Sequence, residues 1–161
     1  MLSGQCSETI LKIKSIKVLA ILEILMKLKL GYQELIANAM AQIETVPLEQ
    51  AQKLLNDENT VFVDIRDVRE LERDGMIPGA IHAPRGMLEF WVDPDSPYYK
   101  SVFGEGKRLV LYCASAWRSA LATETLQKMG VPGVCHLEGG FSAWKKAELP
   151  MTEKHAKPHS G

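Results

Sequence analysis

Cysteine is scarce in this chain and does not pair: Cys6, Cys113 and Cys135 are an odd number with no Cys-x-x-Cys spacing. That excludes a disulfide scaffold and fits reduced thiols in a cytosol-like compartment, so a cytoplasmic location is expected. Charge of one sign is also missing, since 19 Lys and Arg face 20 Asp and Glu for a formal net charge of -1. No broad positive field exists to wrap a nucleic-acid backbone, and nucleic acid is not an expected partner. Within Ile10–Leu30, a stretch of little but Ile, Leu and Lys, the longest apolar run is Val18–Leu22, and lysines or Glu23 interrupt the rest. A spanning helix wants about 20 mostly apolar residues, so no membrane span is expected, and the embedded Glu weighs against a secretion signal. His155 and His159 lie in a polar tail without a carboxylate or cysteine framework, which is too little for a metal site. Gly104-Glu105-Gly106-Lys107 lacks the spacing of a phosphate loop. Neither metal nor cofactor is expected.

What is present describes a soluble globular domain of ordinary composition, with 161 residues, 46% hydrophobic and 24% charged. Three segments are expected: an N-terminal helical extension over 1–43, a domain over 44–150 and a polar tail over 151–161. The extension is too interrupted to cross a bilayer and too apolar to stay solvated, so it is expected to pack on the chain or across a homodimer.

From residue 44 the pattern alternates. Leu48, Ala51, Leu54 and Leu55 recur at helical spacing, and Val61-Phe62-Val63 is a short buried-strand run. Asp67 followed by Glu70 has the form of a capping box opening a short helix through Arg73 that Gly75 ends. Ala80–Ala83 reads as a strand, Gly86–Val92 as a short helix and Asp93–Gly106 as a loop. Leu109–Tyr112 is a buried strand running into Cys113. Ala122, Leu126 and Met129 form the inner face of a helix stopped by Gly130, followed by strand Val134–Leu137 and helix Phe141–Ala147. Strands alternating with helices predict an α/β fold, a parallel sheet with helices on both faces.

In such folds the ligand crevice lies outside the carboxyl ends of the strands, and Cys113 sits at one of those ends. The segment Cys113-Ala114-Ser115-Ala116-Trp117-Arg118-Ser119 joins an apolar strand to a helix, and its small residues let backbone amides approach the sulfur. Amides, a helix N-terminus and the Arg118 cation together favour a thiolate nucleophile over an inert core thiol.

The chain resembles the rhodanese-like domains, most closely the small single-domain bacterial kind. The matching pieces are Val63-Asp64-Ile65-Arg66 with Glu70, Ile77-Pro78-Gly79-Ala80, the loop Cys113–Arg118, and Leu137-Glu138-Gly139-Gly140-Phe141 with Ala143-Trp144. The resemblance implies a three-layer rhodanese-like fold and a sulfurtransferase in which Cys113 carries a sulfane sulfur as a persulfide. The donor it implies is a small anion such as thiosulfate, and the acceptor is cyanide or a thiol. Many active loops of this family resemble Cys-x-x-Gly-x-Arg, whereas Ala116 stands at the fourth position here; if that position needs a positive φ, Ala costs about 1 kcal/mol relative to Gly.

Arg118 is expected either to hold the anionic donor or to brace the loop with a salt bridge. Ala114, Ser115 and Ala116 would cradle the donor, and Trp117 would line the mouth or pack at the helix start. Arg85 and His82 follow the third strand and are within reach of an anion, with structural roles weighing more for both. Asp64 is expected to pair with an arginine such as Arg66, and Cys135 to be a core thiol. Two other readings are a non-catalytic rhodanese-like binding or regulatory module and a phosphatase of related fold. Phosphate-binding loops of related folds resemble Cys-x5-Arg, and the Cys-x4-Arg present here is one residue shorter.

Overall fold

A computed structural model describes residues 15–19 and 28–154. Residues 15–19 are helical. The expected packing of Ile10–Leu30, together with Cys6, His155 and His159, falls largely or wholly outside the described residues. The compact unit begins at Gln33. The elements from Tyr32 onward are α1 (Tyr32–Met40), β1 (Thr45–Val46), α2 (Leu48–Leu54), β2 (Thr60–Asp64), α3 (Val68–Asp74), β3 (Ile81–His82), α4 (Leu88–Val92), β4 (Arg108–Tyr112), α5 (Trp117–Lys128), β5 (Val134–Leu137) and α6 (Gly140–Lys146). A 3₁₀ turn at Arg85–Met87 leads into α4, and another at Ser101–Gly104 lies in the loop before β4.

The strands form one sheet in the order β1-β5-β4-β2-β3, and every neighbouring pair is parallel. Alternation along β4 explains the layers. Leu109 and Leu111 enter one core with Val63, Ile65, Ala122 and Leu126, while Val110 and Tyr112 enter the other with Phe62, Leu137, Phe141 and Trp144. The first core is roofed by α4 and α5, the second by α2 and α6. The chain therefore leaves β4 for one face of the sheet and leaves β5 for the other. A crevice opens where adjacent strands part in this way, at their carboxyl ends.

Local chemistry accounts for several boundaries. Asp67 and Glu70 form a complete capping box at the start of α3, and Gly75 follows its end at φ 79°. Gly139 and Gly140, both near φ +64° and +63°, make the turn into α6. A Cβ at Gly140 would stand 2.6 Å from the Cys113 carbonyl oxygen and 2.8 Å from that of Ala114, so only glycine allows α6 to approach the loop after β4.

The structure differs from the sequence reading in four places. Residues from Gln33 to Ile43, read as extension, belong to the compact unit, because Ala39 and Ile43 are buried against Ala120 of α5. Strand β1 is only Thr45–Val46, too short to carry a periodic signal, yet it pairs in register with His136 and Leu137. Met129, expected on the inner face of α5, is 44% exposed just past the helix end. The start of the polar tail is docked: Thr152 exchanges backbone hydrogen bonds of 2.9 Å with Met76 in both directions.

Candidate active site at the end of strand β4

Cys113 lies one residue beyond β4 and is fully buried. Its Sγ is 3.7 Å from Oγ of Ser119, in the first turn of α5. The sulfur thus sits at the N-terminus of a helix that no side chain caps, where the helix field favours an anion. The backbone of α6 pins the loop from the other side. Phe141 N–H donates to the Cys113 carbonyl at 2.8 Å and Ser142 N–H to that of Ala114 at 3.0 Å.

Ala116 occupies the left-handed region at φ 67° and is 8% exposed, so the loop does need a positive φ at this position. The strain is local to one residue. We expect Ala116→Gly to raise stability by about 1 kcal/mol, read as a higher urea midpoint at unchanged m-value. A lower midpoint would show that the Ala116 methyl packs better than its backbone strains.

Arg118 is held by both oxygens of Glu70, at 2.7 and 2.8 Å, and so braces the loop against α3. The carboxylate of Glu70, together with the Cys113 sulfur, raises the Arg118 pKa against the opposing effect of burial. In return the Arg118 hydrogen bond lowers that of Glu70, which also accepts the Asp67 N–H of the capping box. One carboxylate therefore sets the start of α3 and the position of the loop cation. No motif signal links Glu70 with Arg118 beyond their opposite charge, since 48 residues separate them.

Arg66 is the deeper cation. Its side chain is 1% exposed and paired with fully buried Asp64 at 2.6 Å, as expected, and it also donates to the Gly75 carbonyl at 2.7 Å. Burial pulls its pKa down, but the Asp64 carboxylate outweighs this and the net shift is upward. Its guanidinium lies 4.0 Å from the Phe141 ring centroid, joining the ion pair to the helix that pins the Cys113 loop. A crevice of about 440 Å³ opens beside these groups, lined by Arg66, Glu70, Arg73, Asp74, Ala114, Phe141, Ser142, Lys145 and Lys146. Cations outnumber carboxylates on its wall.

The remaining expectations separate. Ser115 and Trp117 are exposed on the loop and at the start of α5. Arg85 is engaged by Glu89 at 2.6 Å, and His82 is held between the Arg66 carbonyl and Lys154; of the expected site residues Ala114 lines the crevice, while Cys113, Ser115, Ala116, Trp117, Arg118, Arg85 and His82 do not. Cys135 is a core thiol directed at the Leu109 carbonyl, and burial raises its pKa. Among the described residues, no group of His, Cys, Asp and Glu is arranged to hold a metal ion, and no helix is long and apolar enough to cross a membrane. His136 carried no sequence signal beyond being a polar residue inside a buried strand. Its ring is fully buried, with Nε2 2.9 Å from Thr45 Oγ1 and Nδ1 3.4 Å from Ser119 Oγ, and burial lowers its pKa to about 4.

Residues 47–147 match the family model described as the rhodanese-like domain. The chain belongs to the rhodanese-like family. Among its rhodanese-like relatives, a sulfurtransferase of Allochromatium vinosum is 33% identical over 101 residues, covering 63% of this chain and 86% of that one. An uncharacterized Synechocystis protein is 34% identical over 116 residues, and the match spans 72% of this chain but 60% of the relative's length. A solved structure from Rhodopseudomonas palustris superposes with a TM-score of 0.76 at 47% identity, over 79% of this chain and 98% of that one. It is described as a protein of unknown function and possible tyrosine phosphatase.

Proposed function

We propose that this protein is a sulfurtransferase that moves a sulfane sulfur from a small anionic donor of the thiosulfate type to cyanide or a thiol, through a persulfide on Cys113. The observation that carries the reading is the placement of Cys113 at the carboxyl end of central β4, opening a Cys-x4-Arg loop at the N-terminus of α5. The Cys113 thiolate attacks the outer sulfur of thiosulfate. A new S–S bond forms at Cys113, the S–S bond of the donor breaks, and its electron pair leaves on sulfite. The acceptor then attacks the outer sulfur of the persulfide, and the pair of that S–S bond returns to Cys113 as thiolate.

Arg118, already aligned by Glu70, balances the anionic charge at the sulfur, and Ala114, Ser115, Ala116 and Trp117 form the loop around the donor. Arg85 remains the outlying candidate for drawing anions toward the sheet edge. Full burial of Cys113 suits a small donor better than a bulky phosphoester, as does a loop one residue shorter than Cys-x5-Arg.

A specific observation keeps phosphoester hydrolysis in the test, namely the description of the R. palustris relative. The purified protein is assayed side by side for thiosulfate:cyanide sulfur transfer and for hydrolysis of an aryl phosphate. We expect turnover in the first and none in the second. The reverse pattern overturns the proposal, and inactivity in both points to a binding module.

A further inference from the structure

Behind Cys113 runs a buried chain of side chains that reaches the far edge of the sheet. Ser119 Oγ has three neighbours: Cys113 Sγ at 3.7 Å, the Ala116 carbonyl at 3.1 Å and His136 Nδ1 at 3.4 Å. His136 Nε2 in turn meets Thr45 Oγ1 at 2.9 Å. Ser119 and His136 are fully buried, and His136 lies on β5 in register between Leu111 of β4 and Thr45 of β1. The chain thus joins the short edge strand to the sulfur.

A proton count assigns the roles. Ser119 has one hydroxyl proton and two lone pairs. With the His136 proton on Nδ1, the ring donates to Ser119, Nε2 accepts the Thr45 hydroxyl, and the Ser119 proton is left for Ala116 or the sulfur. A thiol at Cys113 would fill the last lone pair by donating S–H across the 3.7 Å separation, while the Ser119 hydroxyl donates to the Ala116 carbonyl at 3.1 Å. Once the sulfur is anionic it needs a donor. Beside Arg118, the Ser119 hydroxyl is in contact with the sulfur, and it can serve as that donor when it turns from the Ala116 carbonyl and while His136 donates to it rather than accepting from it.

We propose that Ser119 is a catalytic residue that donates its hydroxyl proton in a hydrogen bond to anionic Cys113 Sγ, and that His136, oriented by Thr45, is the positioning residue that holds Ser119 in the donating state. The consequence for turnover rests on the sulfur-transfer reading. In the discharge half-reaction Cys113 Sγ is the leaving group, and a hydrogen bond to it lowers the barrier to breaking the S–S bond. The thiolate consequence stands without that reading. The other ionisable groups that bear on the sulfur are Arg118 of α5 and, behind it, Glu70 of α3, while Asp64 at the end of β2 is neutralised by Arg66. All of these are retained in the variants below.

The test follows the rate of iodoacetamide alkylation of Cys113 against pH in Cys135→Ser and Cys6→Ser backgrounds, with folding checked by circular dichroism. Ser119→Ala is expected to raise the alkylation midpoint by about one pH unit and to slow persulfide discharge to cyanide about tenfold. Ser119→Thr, which keeps the hydroxyl, is expected to restore both. His136→Leu should shift the midpoint in the same direction by a smaller amount, and His136→Asn, which can present an N–H near the place of Nδ1, should recover part of it. An unchanged midpoint in folded Ser119→Ala, or equal midpoints for His136→Leu and His136→Asn, overturns the proposal. A shifted midpoint in a protein that takes no sulfur from thiosulfate upholds the Ser119 role and refutes the sulfur-transfer reading instead.

Discussion

Replacing Cys113 by serine is expected to reduce sulfur transfer by about 10³-fold or more, because the reaction as drawn passes through a covalent bond to that sulfur. The fold should survive. Serine is nearly isosteric, and its hydroxyl finds Ser119 at the same place where the thiol lies. Equal thermal midpoints for wild type and variant, alongside lost turnover, separate chemistry from stability. Substantial residual transfer in Cys113→Ser would move the nucleophile elsewhere, and Cys135→Ser then becomes the decisive comparison.

The largest expected loss of stability comes from Asp64→Ala. It strands the Arg66 guanidinium, 1% exposed, without its carboxylate, and breaking a buried pair from one side costs about 3–5 kcal/mol. For a domain with a total of roughly 5–15 kcal/mol, that is a large share of what holds it folded. The damage also reaches the site, since Arg66 stacks on Phe141, whose N–H fixes the Cys113 carbonyl. Urea denaturation of Asp64→Ala and of the double variant Asp64→Leu with Arg66→Met measures this. The double variant should be the more stable of the two, because no charge is left unpaired. A double variant weaker than Asp64→Ala would mean that the aliphatic and stacking contacts of Arg66 outweigh its charge.

Local signals in the sequence were enough for most of the fold. The apolar run Leu109 to Tyr112 and the Asp67 and Glu70 capping box each carry their cause within a few residues of chain. The same holds for the position of Cys113, which is marked by lying between an apolar strand and a helix. What could not be read was long-range pairing. Arg118 finds Glu70 across 48 residues, and Thr45 meets His136 across 91, on a strand too short to announce itself. The salt bridge that braces Arg118 depends on a partner that spacing does not encode. Ala39 and Ile43 were assigned to the extension for a similar reason, since a lone Ala and Ile at the end of a helix reveal their burial only once Ala120 is beside them.

The central claim, a sulfur held covalently on Cys113, is tested most directly by the intact mass of the protein after incubation with thiosulfate and removal of excess reagent. The account predicts a gain of one sulfur atom, absent in Cys113→Ser and discharged from the wild type by cyanide with formation of thiocyanate. A wild-type mass unchanged by thiosulfate, or an adduct that persists in Cys113→Ser, would contradict it.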